Sequence, residues 1–229
     1  MSAQPQSHSP TKPHTSTDPH PLLTPNQISL RIISWNCNRQ KDPFIIPTLL
    51  SSQKPDILHI REPHSALSDP NTTQHKQLLK WLNNHNYLLL HYNTLTMTII
   101  STATLDQHFT YPVITAPNQR ASTAVFYLDS IHPLLVTNIW APHRSHSSYR
   151  TDTLQLKAFF QTLQNDYPDA EHLIAGDINI DPTNTSASQY NLLTYFTKSM
   201  SLTSVIPEVH YQTNHSAQLD PTHYNNNDS

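Results

Sequence analysis

Short apolar runs, separated by polar and proline-rich turns, organise the chain after its first 27 residues. Alternating or solidly apolar runs that indicate strands lie at 28–35, 57–60, 87–92, 95–100, 121–128, 133–140 and 172–175. Apolar residues three or four positions apart, which indicate helices, lie at 44–52, 73–84, 149–167 and 188–197. The pattern therefore predicts a domain of mixed strands and helices.

The order of these elements predicts the fold class. Strands follow one another without a helix at 87–100 and at 121–140, whereas helices separate the others. A purely parallel, doubly wound sheet is disfavoured because parallel neighbours need a crossover connection. We therefore predict an α+β fold over 28–229, a four-layered α/β/β/α sandwich of two mainly antiparallel sheets flanked by helices.

Residues 1–27 are rich in Pro, Ser, Thr, His and Gln and have almost no apolar content before Leu22. This composition predicts a disordered leader. The leader has no apolar signal core, and no stretch of the chain approaches the roughly eighteen apolar residues of a membrane span. We expect an intracellular protein without membrane association.

Composition adds one unusual feature, a single glycine among 229 residues. Average usage would give about sixteen, so turns that need a positive φ are expected to use Asn or Asp instead. The one glycine, Gly176, follows an apolar run and directly precedes Asp177. We expect it where the chain must turn sharply beside a ligand.

Charge and cysteine content narrow the function classes. The formal net charge is −3, with no basic run, so binding to nucleic acid must come from a specific site. The single cysteine, Cys37, excludes an internal disulfide. We interpret Cys37 as a small buried apolar residue on a strand in preference to a nucleophile.

Several apolar runs end in polar side chains that bind metal or phosphate. In chain order these are Asn36, Asn38, Glu62, Asn138, Trp140, His143, Asp177 and Asn179. If those ends converge, they form a set of hard oxygen ligands and amide donors, which Mg²⁺ prefers, with Mn²⁺ as its substitute. The cysteine and histidine spacings of zinc sites are absent.

Hydrolysis of a phosphodiester assigns roles to four of these groups. Glu62 is the candidate for holding the metal, which neutralises charge on the phosphate. Asp177 is the candidate for orienting or deprotonating the attacking water. Asn36 and Asn179 are candidates for positioning Asp177 and the phosphate through their amides.

Four segments carry a resemblance to a known family. They are Ile-Ser-Trp-Asn-Cys-Asn at 33–38, Pro-Asp-Ile-Leu-His-Ile-Arg-Glu at 55–62, Val-Thr-Asn-Ile-Trp-Ala-Pro at 136–142 and Leu-Ile-Ala-Gly-Asp-Ile-Asn at 173–179. In this order they resemble motifs of the endonuclease/exonuclease/phosphatase family. The apurinic-type endonuclease domains of non-LTR retrotransposons are the most similar group.

The resemblance implies a two-layered β-sandwich flanked by helices and metal-dependent cleavage of phosphate esters. It implies active-site roles for Asn36, Glu62, Asp177 and Asn179, and Asn38 aligns with a further position of the family's site. We expect DNA as the substrate, a monomeric protein and, from function alone, a nuclear location.

The chain also departs from the family pattern. Trp140 stands where most members have a phosphate-contacting tyrosine, and Arg61 replaces a glutamine. Leu219-Asp220 resembles an element whose aspartate belongs to the metal site. The final Ser-Asp-His motif is missing, and no Asp-His pair occurs in the sequence. We therefore expect a domain that lacks its final strand.

Three readings of function stay open. The chain is a DNA endonuclease whose activity is impaired, or an inactive remnant that binds nucleic acid weakly. The third is a phosphatase or phospholipid-type phosphodiesterase, since one fold hosts many functions.

Overall fold

The computed structural model describes residues 29–40, 42, 44–108, 113–127, 133–179 and 191–203. The predicted leader at 1–27 and the candidate metal ligand Asp220 lie outside these residues. Within them the strands are β1 Ile32–Asn36, β2 Ile57–Arg61, β3 Tyr87–Tyr92, β4 Thr96–Ser101, β5 Ile114–Thr115, β6 Ala121–Tyr127, β7 Pro133–Trp140 and β8 Glu171–Asp177. The helices are α1 Ile45–Gln53, α2 Ser65–Ser68, α3 Thr73–Asn84, α4 Thr102–His108, α5 Tyr149–Asp166 and α6 Leu192–Ser199. No described helix is both long and apolar enough to cross a bilayer.

Three short elements, α2, α4 and β5, were not predicted. The four residues of α2 and the two of β5 are too few to display a periodicity. Helix α4 begins Thr102-Ala-Thr, and threonine is a weak helix former. The helix predicted at 188–197 is observed as α6, which begins after Asn191, whose side chain accepts the N–H of Thr194 at 3.0 Å.

Two four-stranded sheets form the centre of the fold. Sheet A has the order β1-β2-β4-β3, and sheet B has the order β5-β6-β7-β8. Strands β1 and β2 are parallel, as are β7 and β8, and the other described pairings are antiparallel. The prediction of two mainly antiparallel sheets is confirmed.

Apolar side chains divide the molecule into four layers. Helices α1 and α3 cover sheet A, burying Leu50 and Leu82 against its outer face. Helices α5 and α6 cover sheet B, with Phe160 and Phe196 in edge-to-face contact at 4.9 Å between centroids. Between the sheets Phe126 of β6 packs with residues of β2, β4 and β7. The predicted α/β/β/α sandwich is therefore confirmed.

Gly176 lies inside β8, where the neighbouring strand comes unusually close. It has φ +151°, which residues with a side chain rarely adopt. A Cβ here would overlap the carbonyl oxygen of Ile139 and lie 2.8 Å from its Cγ2. The expected sharp turn is not found at Gly176, because this residue lies within β8, and the approach of β7 is what excludes a Cβ here.

Strand β8 is more exposed than its apolar sequence predicts. The apolar run at 172–175 indicates a strand whose side chains are buried, yet the Leu173 side chain is 41% exposed. Leu173 pairs with Val136 on the face of sheet B that meets sheet A. Within the described ranges β8 is the outermost strand of sheet B, so no further strand pairs with the edge of β8 that faces away from β7.

Within the described residues, every left-handed position is occupied by a residue other than glycine. Asn38, Asn86 and Asn179 have positive φ, as the shortage of glycine predicts. The remaining described examples are not aspartates but Arg39, Lys54, Glu62, Gln119 and Ser201. Each carries a cost of about 1–2 kcal/mol, which tertiary contacts must offset.

Candidate active site

The two parallel strand pairs bring the predicted residues to one edge of the sandwich. Strands β1 and β2 end at Asn36 and just before Glu62, and β7 and β8 end at Trp140 and Asp177. Asn138 joins the sheets near these ends, since its Nδ2 donates to carbonyl oxygens of β2 and β4 at 3.2 and 3.1 Å. The carboxyl ends of both pairs therefore meet, as the sequence predicts.

Glu62 is held by its backbone in a left-handed conformation with φ 49°. Its N–H donates to Leu95 O at 2.9 Å, and its carbonyl accepts the Arg39 N–H at 2.8 Å. The thiol of Cys37 donates to the same carbonyl at 2.9 Å. Strained conformations of this kind persist where the surroundings over-determine them. The backbone thus determines where the carboxylate of Glu62 is placed.

Two donors engage one oxygen of the Glu62 carboxylate. Trp140 Nε1 donates to Oε1 at 3.0 Å, and Asn36 Nδ2 makes a longer contact with Oε1 at 3.4 Å. Within the described residues no donor contacts the second oxygen, Oε2. The carboxylate is oriented and only partly buried, with one oxygen left for a ligand.

Asn36 also shapes the turn that follows β1. Its Oδ1 accepts the N–H of Asn38 at 2.9 Å, so Asn36 both caps the turn and reaches Glu62. Asn38 is exposed, and its contact with Asn36 uses the backbone. Within the described residues the Asn38 side chain makes no hydrogen bond to the other candidate groups.

Asp177 and Asn179 form the second part of the cluster. Asp177 is 8% exposed, and its Oδ1 accepts the backbone N–H of Asn179 at 2.8 Å. The side chain of Asn179 donates from Nδ2 to Ala141 O at 2.6 Å, while Ala141 N–H donates to Asp177 O at 2.7 Å. Asn179 thus orients Asp177 through its backbone, whereas its side chain ties together the loops after β7 and β8.

Trp140 connects the two parts of the site. It pairs with Asp177 in the register of β7 and β8, and its indole reaches Glu62 on the opposite sheet. The structure therefore brings Asn36, Glu62, Trp140, Asp177 and Asn179 into one cluster. Of the other strand-end candidates, Asn138 is fully buried as an inter-sheet contact, and His143 is exposed and bonded to Ser145.

Sequence reasoning missed a buried ion pair behind Trp140. Arg120 donates from Nε to Asp152 Oδ2 at 2.7 Å. The Arg120 guanidinium carbon lies 4.5 Å from the centre of the Trp140 ring. The only hint in the sequence is a lone arginine before an apolar run in a chain with 13% charged residues, which is too weak a signal to act on.

The space between the sheets becomes polar beneath the site. His59 and Arg61, one strand repeat apart on β2, are fully buried there. His59 Nδ1 lies 3.1 Å from Thr98 Oγ1. Burial, together with the charge of Arg61, lowers the pKa of His59 from 6.5 to about 3. The histidine is therefore neutral at physiological pH, and Arg61 supplies buried positive charge one residue before Glu62.

Cys37 lacks the properties of a nucleophile. It is buried, and this burial raises the pKa of its thiol to about 11. A reactive cysteine needs a lowered pKa, because the thiolate attacks. The interpretation of Cys37 as a small buried residue agrees with this environment.

The donor set fits a hard divalent cation such as Mg²⁺ or Mn²⁺ better than an ion that prefers thiolate or imidazole ligands. No group of three or more His, Cys, Asp or Glu side chains within the described ranges could hold a metal ion. Mg²⁺ needs fewer protein ligands, since it binds one or two carboxylates, retains waters and uses phosphate oxygens of the substrate. Glu62, with one oxygen held by donors and the other open, is the carboxylate that fits this requirement.

Neither a protein-family model nor a curated protein sequence matches the chain. Several solved structures resemble it. D. rerio TDP2, humanized by 14 mutations, has 19% identity over 67% of this chain and 68% of its own, with a TM-score of 0.48. An AP endonuclease from Archaeoglobus fulgidus has 17% identity over 69% of this chain and 62% of its own, with a TM-score of 0.48. The 3′ phosphatase NExo from Neisseria, bound to a product DNA hairpin, has 16% identity over 74% of this chain and 64% of its own, with a TM-score of 0.48. Similarities this weak leave function to be judged from the chain's own site.

Proposed function

We propose that this chain is a Mg²⁺-dependent hydrolase of the endonuclease type that cleaves phosphodiester bonds in DNA. The observation that carries the proposal is the placement of Glu62. Its carboxylate is oriented by Asn36 and Trp140 at the converging strand ends, with Asp177 on the strand paired with Trp140. The four segments that resemble endonuclease/exonuclease/phosphatase motifs supply these residues.

Each side chain has a role in this reaction. Glu62 is the residue that would hold Mg²⁺, which would there neutralise charge on the phosphate. Asp177, oriented by the N–H of Asn179, accepts the proton of the attacking water. Asn36 keeps the Glu62 carboxylate in place through its amide. Asn38 and Asp220 are proposed as further metal-site residues on the family resemblance alone.

The proposal is tested by nicking of supercoiled plasmid in Mg²⁺, with EDTA as the metal-free condition. Glu62→Gln and Asp177→Asn each keep the shape of the side chain and remove its charge. Each is expected to lower the nicking rate at least about 100-fold, the low end of what general acid–base catalysis contributes. Glu171→Gln is the matched control, since Glu171 is an exposed carboxylate at the opposite end of β8.

The outcomes separate the readings of function. Equal nicking by wild type, Glu62→Gln and Asp177→Asn would show that the proposed residues do not catalyse the reaction. Absence of nicking with retention of DNA on a filter would support the inactive remnant instead. Release of phosphate from a phosphorylated oligonucleotide without nicking would favour a phosphatase.

The remaining parts of the proposal rest on the family resemblance and on composition. They are an origin in a non-LTR retrotransposon endonuclease domain, action as a monomer and a nuclear location. Replacement of Mg²⁺ by Mn²⁺ is expected to support activity, because both ions accept hard oxygen ligands. Light scattering of the purified protein tests the monomeric state directly.

A further inference from the structure

The ion pair between Arg120 and Asp152, behind Trp140, is buried and held by several hydrogen bonds. Arg120, directly before β6, is only 5% exposed, so its charge must be compensated inside the protein. Asp152, in the first turn of α5, accepts its Nε, and the hydroxyl of Ser148 also donates to Asp152 Oδ2. A carboxylate near a helix N-terminus is further stabilised by the helix dipole.

Hydrogen bonds to backbone atoms of Arg120 and Asp152 hold the ion pair further in place. Asn118 donates from Nδ2 to Asp152 O at 3.0 Å, and its Oδ1 accepts the N–H of Arg120 at 3.2 Å. The N–H of Trp140 donates to Arg120 O at 2.8 Å. Arg120 therefore contacts Trp140 twice, through its backbone carbonyl and through the guanidinium that lies over the indole.

The stacked guanidinium restricts the indole that contacts Glu62. The Trp140 ring is covered on one face by Arg120, and its Nε1 donates to Glu62 Oε1 at 3.0 Å. An indole N–H is a donor only, so rotation of the ring would remove this contact without offering another. Arginine suits the task because its planar group stacks on aromatic faces, which an ammonium group does less well.

We propose that Arg120, held by Asp152, is a positioning residue for the metal site: it fixes the Trp140 indole, and the indole fixes the carboxylate that binds the divalent cation. This inference rests on the proposed function, since it takes Glu62 as the metal-binding group. It assigns Arg120 and Asp152 to the site, although neither belongs to the predicted motifs. Partners that orient a metal ligand in this way commonly change metal affinity 10- to 100-fold.

The test measures binding of Mn²⁺ to the full chain by electron paramagnetic resonance, without DNA. Arg120→Met and Trp140→Phe are each expected to weaken binding about 10-fold. Because Arg120 acts through the indole N–H, the double variant should bind no more weakly than Trp140→Phe alone. Arg150→Met, which removes an exposed arginine from the same end of α5, should bind as wild type does.

Folding is monitored by urea unfolding of each variant. If Arg120→Met does not fold, Arg120→Lys takes its place, since lysine keeps the charge beside Asp152 but lacks the planar group. It is expected to weaken Mn²⁺ binding several-fold. Wild-type affinity in a folded Arg120 variant, or losses that add fully in the double variant, would overturn the inference.

Glu62→Gln separates this inference from the proposal on which it rests. If it abolishes Mn²⁺ binding while the Arg120 variants bind normally, only the positioning role is wrong. If it leaves binding unchanged, Glu62 is not the metal ligand, and both the inference and the proposed metal site fail.

Discussion

Replacement of the single glycine tests how closely β7 and β8 are joined beside the site. In Gly176→Ala, the new Cβ would overlap the carbonyl oxygen of Ile139 and lie 2.8 Å from Ile139 N and Cγ2. Cβ atoms in real proteins essentially never approach other atoms more closely than 3.0 Å. Two of these three atoms belong to the backbone. The strands must therefore separate, because a rotamer change cannot relieve the overlap.

Two costs add in this variant. A backbone conformation reserved for glycine costs about 1–3 kcal/mol when a side chain is introduced. Overpacking a well-packed site costs about 1–3 kcal/mol more. The total, about 2–6 kcal/mol, is a large part of the 5–15 kcal/mol that typically separates folded and unfolded states. With a urea m-value of about 2–3 kcal/mol/M, the unfolding midpoint should fall by about 0.7–3 M.

Urea unfolding followed by circular dichroism measures this shift. Leu173→Ala on the same strand is the control, since its side chain is 41% exposed and its loss should cost about 1 kcal/mol. Adding Ile139→Ala should not rescue Gly176→Ala, because the overlapping oxygen is in the backbone. A midpoint within 0.3 M of wild type (about 1 kcal/mol), or full rescue by Ile139→Ala, would refute the reasoning.

Three further predictions concern buried side chains. Because the pKa of His59 is lowered to about 3, the unfolded chain takes up a proton that the folded chain does not, so stability is lost as pH falls from about 6.5 toward 3. At about 1.4 kcal/mol per pKa unit, the loss of stability amounts to on the order of 5 kcal/mol. His59→Gln should therefore reduce the slope of unfolding free energy against pH, and an unchanged slope would contradict the buried, neutral state of His59. Iodoacetamide at neutral pH should modify Cys37 only after unfolding, because burial raises the thiol pKa to about 11. Mass spectrometry measures the labelling, and rapid labelling of the folded chain would disprove the prediction. Asn138→Ala should cost about 1–3 kcal/mol in urea unfolding, because it removes two hydrogen bonds between the sheets; the exposed Asn84→Ala is its control, and equal stability of both variants would count against the role of Asn138.

Most of the fold could be predicted because its strands and long helices carry strong periodic patterns. The strand predicted at 133–140 agrees with β7, and the helix predicted at 149–167 agrees with α5 to within one residue. Burial was harder to predict, as β8 shows. A run of apolar residues indicates a strand, but whether a neighbour covers it is decided by topology, which a local pattern does not contain.

The clustering of the candidate residues was predictable where a residue stands at a strand end. Asn36, Glu62, Trp140 and Asp177 share that position, and parallel pairing brings their strand ends together. Arg120 was not predictable, because it precedes a strand on the opposite side of Trp140, and its contact depends on how β6, β7 and α5 pack. The reason for Gly176 was likewise missed, since the atoms that exclude a Cβ lie on another strand.

The backbone conformations of Glu62 and Asn179 connect the composition of the chain with its site. Both have φ 49°, a region where a side chain costs about 1–2 kcal/mol and glycine would cost nothing. A shortage of glycine alone would favour asparagine at such positions, as at Asn179, because asparagine tolerates this region best after glycine. It does not account for a glutamate at 62, where the strain is offset by hydrogen bonds to Leu95 and Arg39. Stability by itself would favour another residue there, so the carboxylate at this strained turn supports the metal-binding role proposed for Glu62.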